Sequence, residues 1–325
     1  MDSSFNSTSR HPIPQEPDAL LASDESGPSS PLREDRISPE DGAALFEFLP
    51  AAEIVPPKRI PHLGHLGLFV GVVFFGYACA AAAMLAGAHF HFDGVATLDQ
   101  AANDARYILG AETVLYLVML PLCLALFPLF WNKSFFAGIH WRGATALRLH
   151  WRLGAAALGC AGLAALEESL FKSPAHAPIE DMIRTPGAAW LMFGFGVTFA
   201  PFFEEICFRG FLLPSLATAC DWVGERFTDK APPPLDENGH PLWSLPAMAV
   251  AAIPTSLLFA GMHSAQQGYS LGPFLQVFAV SLILCAVRLG SRSLAASALV
   301  HAAYNFLLFS AMMIGTGGFR HFDNM

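Results

Sequence analysis

The feature that most limits how this chain can fold is a series of long apolar runs, at residues 64–88, 107–130, 149–166, 187–216, 246–262, 273–289 and 294–314. A helix needs about 20 apolar residues to cross the hydrocarbon core of a bilayer, with some latitude for tilt. Apolar residues make up 54% of the chain and charged residues only 14%, a balance that a water-soluble domain of this size does not show. The expected fold class is therefore all-α: a polytopic transmembrane helical bundle of about seven spans, within a range of six to eight.

The net charge of −9 does not describe this membrane part. Residues 1–60 hold 11 acids and 5 bases, so the acidity belongs mainly to the amino-terminal end. Residues 1–57 are rich in Ser, Pro, Asp and Glu and read as a disordered tail. The tail lacks a basic start followed by an apolar run and a small-residue cleavage site, so it does not read as a cleaved signal peptide. Its one apolar patch, residues 43–54, reads as a transient helix. Residues 58–320 form the expected membrane-embedded domain. A polar segment at 221–245, with three consecutive prolines and an Asn238-Gly239 turn signal, reads as a loop inserted outside the bilayer. No basic patch interleaved with aromatic residues occurs, which argues against a nucleic-acid partner. The six cysteines are scattered without any Cys-x-x-Cys spacing and read as small apolar packing residues, Cys207 included.

Lys133, Arg142, Arg148 and Arg152 make the loop after the second run the most basic in the chain, and by the positive-inside rule it faces the cytoplasm. Arg288 and Arg292, read as the loop between the last two runs, fall on the same side. The expected location is a multi-pass protein of the plasma membrane, with the lipid bilayer as its first partner. His89 and His91, at the end of the first run, read as solvated interfacial residues rather than a metal pair. Glu167 and Glu168, followed by Lys172, read as a solvated helix end.

One motif is of a different kind. In Pro201-Phe-Phe-Glu204-Glu205-Ile-Cys-Phe-Arg209-Gly210 two acids and a base lie inside apolar sequence that runs from residue 188 to 216. An ionised side chain in hydrocarbon costs roughly 2.5–3.5 kcal/mol even on the lenient insertion scale, so these residues must face protein or trapped water. On a helix Glu205 and Arg209 stand at i and i+4 and can pair, whereas Glu204 points about 100° away. The unpaired Glu204 is the candidate general base. Two later runs carry polar residues of their own: Phe259-x-x-x-His263 closes the fifth, and His301-x-x-x-Asn305 lies within the seventh, on one helix face. Peptide hydrolysis needs a base for water, a group to hold that base or the water, and donors for the developing oxyanion. Glu204, His263, and His301 with Asn305 would supply these in turn. With straight spans rising about 1.5 Å per residue, Glu204 falls towards the cytoplasmic end of its run and His263 towards the outer end of its own. A shared site therefore requires span four to tilt or span five to be displaced.

Taken together, these residues resemble the CPBP intramembrane endopeptidases, also called Abi, which include the type II CAAX prenyl endopeptidases. That family's pattern is Glu-Glu-x-x-x-Arg, then Phe-x-x-x-His, then His-x-x-x-Asn on successive membrane helices. All three elements occur here in order, and the resemblance covers about residues 187–310. It implies proteolysis in a membrane-embedded cavity, with Glu204 and His263 activating water, His301 and Asn305 stabilising the oxyanion, and Glu205 and Arg209 in support. A site with a divalent metal such as zinc is an alternative to this metal-free one, since Glu204, His263 and His301 would also make a His₂Glu set with an open position, and the sequence does not decide between Glu204 as base and Glu204 as ligand. The implied substrate is a membrane-associated or lipidated peptide or protein: a prenylated CAAX terminus, a bacteriocin leader or another membrane peptide. The alternatives are a non-catalytic membrane binding or immunity protein of the same fold, a proton-coupled transporter, and a haem-bearing electron carrier using His263 and His301. No inverted repeat between the halves supports transport, and a haem would leave the paired glutamates unexplained.

Overall fold

A computed structural model of the chain describes residues 59–171, 178–184, 187–228, 235 and 243–321. The expected amino-terminal tail and its apolar patch, Lys172, and much of the polar segment after residue 228 lie outside the described residues. Among those described, seven helical segments are long and apolar enough to span a membrane. They are α1 (Leu63–His89), α2 (Ala105–Trp131), α3 (His150–Leu170), a composite fourth span from Ala188 to Thr228, α7 (Leu245–Ser264), α8 (Leu271–Ser291) and α9 (Leu294–Gly315). The fourth span consists of α4 (Ala188–Val197), α5 (Phe199–Glu205), a π-helical segment (Ile206–Leu212) and α6 (Leu213–Thr228).

Helix starts follow local chemistry. Asp104 caps α2 by accepting from Arg106 N at 2.8 Å, Ser244 caps α7 from Ala247 N at 3.2 Å, and Ser293 caps α9 from Ala296 N at 3.2 Å. Pro246 sits in the first turn of α7, where its missing N–H leaves no bond unmade. Large apolar side chains such as Phe74, Leu117, Trp151 and Leu258 face outwards, as expected of surfaces solvated by lipid rather than water.

The two larger of four apolar clusters among the described residues build most of the interior. An aromatic one joins Phe69 of α1, Phe127 and Trp131 of α2, Phe135, and Phe203 and Phe211 of the fourth span, with Phe69 and Phe211 stacked at 4.0 Å. The second joins Leu153 and Cys160 of α3 to Leu284 of α8 and to Ala296 and Val300 of α9. Close approach of α1 to α2 depends on Gly76, where a Cβ would meet Leu115 Cδ1 at 2.6 Å. All six cysteines are free, and each is buried or partly buried.

Four sequence readings change here. Arg288 is not a loop residue: α8 runs on to Ser291, and Arg288 is buried inside it. Glu167 and Glu168 lie in the last turn of α3, which ends at Leu170, and Glu168 is exposed, but Glu167 is partly buried against α8, its Oε1 close to where a Cβ on Gly272 would be. The fourth span continues to Thr228, into the expected polar loop, because Asp221 near its end is buried and accepts from Ser244 N at 2.9 Å. Arg59 also bonds this helix end, at 2.5 Å to Glu225. The bend expected at Pro201 is instead a break at Thr198 (φ −116°, ψ −73°). A proline ring clashes with the carbonyl one turn earlier, and its missing N–H leaves that carbonyl without a partner. Pro201 itself therefore lies comfortably in the first turn of α5.

Candidate active site

The break and the π-helical segment place the glutamates. At the break, carbonyls that a continuous helix would satisfy find other donors. Thr198 Oγ1 donates to Gly194 O at 2.6 Å, and Asn305 Nδ2 of α9 donates to Gly196 O at 2.7 Å. Just beyond α5, the chain widens into the π-helical segment, a local form common at functional sites. Its Arg209 carbonyl accepts from Arg288 Nε at 3.2 Å, and Arg288 Nη2 reaches Ile139 O at 3.4 Å and His140 Nδ1 at 3.1 Å. Arg288 thus ties the widened turn to the segment that precedes α3.

The adjacent carboxylates have opposite surroundings. Glu205 and Arg209 are both fully buried and paired at 3.0 Å. Arg209 also donates to Ser281 Oγ at 2.6 Å and Ser281 O at 3.1 Å, and its guanidinium lies 4.5 Å from the centre of the Phe259 ring. Among the described residues no Lys or Arg pairs with Glu204. Its side chain is 25% exposed, as is that of His263, while His301 is at 5%. Glu204 Oε2 lies 3.9 Å from His263 Nε2 and 3.7 Å from His301 Nε2. The expected difficulty of depth disappears: a span of 41 residues that reaches Thr228 puts Glu204 well inside it rather than at its end.

Both rings are held from behind. His263 Nδ1 bonds Phe259 O at 2.8 Å, and His301 Nδ1 bonds Glu205 Oε1 at 3.1 Å. A carbonyl or carboxylate oxygen only accepts, so Nδ1 is the protonated atom in each ring and Nε2 is turned towards Glu204. Phe259 lies between these groups, with its ring 4.6 Å from His263 and 5.7 Å from His301. Glu204 and the two imidazoles therefore leave a gap wider than a direct hydrogen bond, suited to a small molecule bridging them.

A bound metal would fix the spacing of its ligand atoms. Four-coordinate zinc with bonds of about 2.0–2.1 Å brings its ligand atoms to about 3.4 Å from one another. The 3.7 and 3.9 Å separations are looser, and no group of three His, Cys, Asp or Glu among the described residues has metal-holding geometry. The residues do not fit a metal in this arrangement, and no step below is routed through one.

Asn305 stands one helical turn from His301, but its amide is directed at the broken helix. Replacing it with alanine leaves the Gly196 carbonyl unpaired, with an expected loss of about 1–3 kcal/mol of stability, measurable by thermal unfolding in detergent. Unchanged stability would show that the bond to Gly196 is dispensable. Ser281 and Arg288 were not singled out in the sequence: a serine in an apolar run carries no signal, and Arg288 resembles any helix-end base.

Residues 186–307 match the family model described as Type II CAAX prenyl endopeptidase Rce1-like. No curated protein and no solved structure matches the chain. The matched segment contains all three motifs, spans four to six and most of span seven, and leaves spans one to three outside. Residues 186–307 are thus similar to the Type II CAAX prenyl endopeptidase Rce1-like family, in a chain whose described residues include seven helical segments long and apolar enough to span a membrane.

Proposed function

We propose that this domain hydrolyses a peptide bond of a membrane-associated substrate by water activated at Glu204. The observation that carries the proposal is the convergence of Glu204 Oε2 with Nε2 of His263 and His301, the other nitrogen of each ring being held by a hydrogen bond. Glu204 takes a proton from a water held against His263, and the oxygen attacks the scissile carbonyl carbon. The second amide hydrogen of Asn305 stabilises the resulting oxyanion, joined by His301 when its Nε2 also carries a proton. Glu204 then returns the proton to the departing amine nitrogen as the carbon–nitrogen bond breaks. Glu205, fixed by Arg209, holds His301 in the required tautomer.

The family description supports a prenylated carboxyl terminus as the substrate class. The test is cleavage of quenched fluorogenic peptides, prenylated and unmodified, by purified protein with and without a chelator of divalent metals. Cleavage that persists in chelator, and is faster for the prenylated peptide, is the expected result. Cleavage abolished by the chelator would return the metal-bound reading, and cleavage of neither peptide would favour a non-catalytic binding protein.

A further inference from the structure

Glu204 has a second wall of polar groups that belongs to none of the three motifs and lies outside residues 186–307. It comes from α1 and α2. Tyr116 of α2 stacks on Phe203, the residue before Glu204, at 3.9 Å and 8°, and on Phe195 at 5.7 Å. One helical turn earlier on the same face is Glu112, which is partly buried and interacts electrostatically with Glu204. Tyr77 stands beside Gly76, the point where α1 and α2 touch, and its phenol interacts electrostatically with both Glu112 and Glu204. The histidines face Glu204 from α7 and α9, and this group faces it from α1 and α2.

Glu112 is chemically unbalanced. Among the described residues its carboxylate has neither a hydrogen bond nor an ion pair. Arg106, the nearest base along α2, is engaged by Asp93 and Asp104, and Arg209 is engaged by Glu205. Among the described residues, the side of the site between Glu112 and Glu204 therefore holds two carboxylates and no cation of its own. An acid within a membrane span has a partner or a role, and the described residues offer Glu112 no partner.

We propose that Glu112 is a specificity-determining residue that receives a positively charged lysine or arginine side chain of the peptide, close to the bond being cleaved, with Tyr77 and Tyr116 flanking it. This deepens the hydrolytic reading and rests on it for the identity of the ligand as a peptide. It predicts a preference in substrates that the three motifs do not encode.

The test uses the full chain in lipid nanodiscs and paired peptides that carry either lysine or its neutral counterpart norleucine at each position around the cleaved bond. The wild type should prefer lysine over norleucine at one position by about tenfold in kcat/KM. Glu112→Gln should remove that preference by slowing cleavage of the lysine peptide towards the rate of the norleucine peptide, and Glu112→Asp should keep part of it. A parallel arm measures binding of the same fluorescent peptides to Glu204→Gln protein, with and without Glu112→Gln, and needs no turnover. A lysine preference that survives Glu112→Gln, or no preference in either arm, overturns the proposal. If the wild type cleaves nothing, the hydrolytic reading fails, and the binding arm still decides whether Glu112 selects cationic peptides.

Discussion

Glu204→Gln is expected to lower the rate of peptide cleavage by a factor on the order of 10³, with no loss of thermal stability. The substitution preserves shape and removes only the ability to accept and return a proton. Stability should hold because among the described residues Glu204 has no Lys or Arg partner to abandon: the imidazole nitrogens that face it stand at 3.7 and 3.9 Å, beyond direct hydrogen bonding. Removing a charge from apolar surroundings even favours the folded protein. Single-turnover cleavage and thermal unfolding on the same preparation separate the two properties. A variant that cleaves at the wild-type rate would remove Glu204 from the chemistry. One that no longer folds would show that the carboxylate holds the bundle together instead.

The division between the two glutamates was legible in the sequence, because spacing alone decides which of them can reach Arg209 on a helix. The long apolar runs were equally legible, since a bilayer imposes length on any helix that crosses it. What lay beyond reach was how the fourth span deviates from a straight helix. Its break sits at Thr198 rather than Pro201, because a proline disturbs the turn before it, and the π-helical widening at Ile206–Leu212 leaves no compositional mark. The extension to Thr228 was hidden for another reason. Asp221, Glu225 and Arg226 look like loop in a hydropathy profile, yet Asp221 and Glu225 are partners for Ser244 and Arg59 on segments distant in sequence. Arg288 was misread on the same ground: positively charged residues near a helix end are commonly solvated, and only the packing shows that this one donates to the Arg209 carbonyl. Asn305 was visible as polar inside a span, but its bond to Gly196 depends on a carbonyl freed by a break the sequence did not place.

The opposite behaviour is expected of the neighbouring carboxylate. Glu205→Ala should destabilise the protein by about 3–5 kcal/mol, the cost typical of removing one member of a buried ion pair. Both side chains are fully buried, and Arg209 would keep its bonds to Ser281 while losing the charge that neutralises it. Uncompensated charge, rather than the missing hydrogen bond, dominates that cost. It follows that replacing both members with apolar residues of similar volume, Glu205→Leu with Arg209→Met, should be less damaging than either single change. The double variant should still be inactive. Without Glu205 nothing accepts from His301 Nδ1, so the ring loses the tautomer that turns Nε2 to Glu204, and stability and activity should part company. Thermal unfolding of the two single variants and the double variant gives the coupling directly. If Glu205→Ala is as stable as the wild type, Arg209 does not depend on this carboxylate. If the double variant is stable and still cleaves peptides, His301 does not need Glu205 to hold it, and the arrangement of the two rings around Glu204 must be maintained by Phe259 and the helices alone.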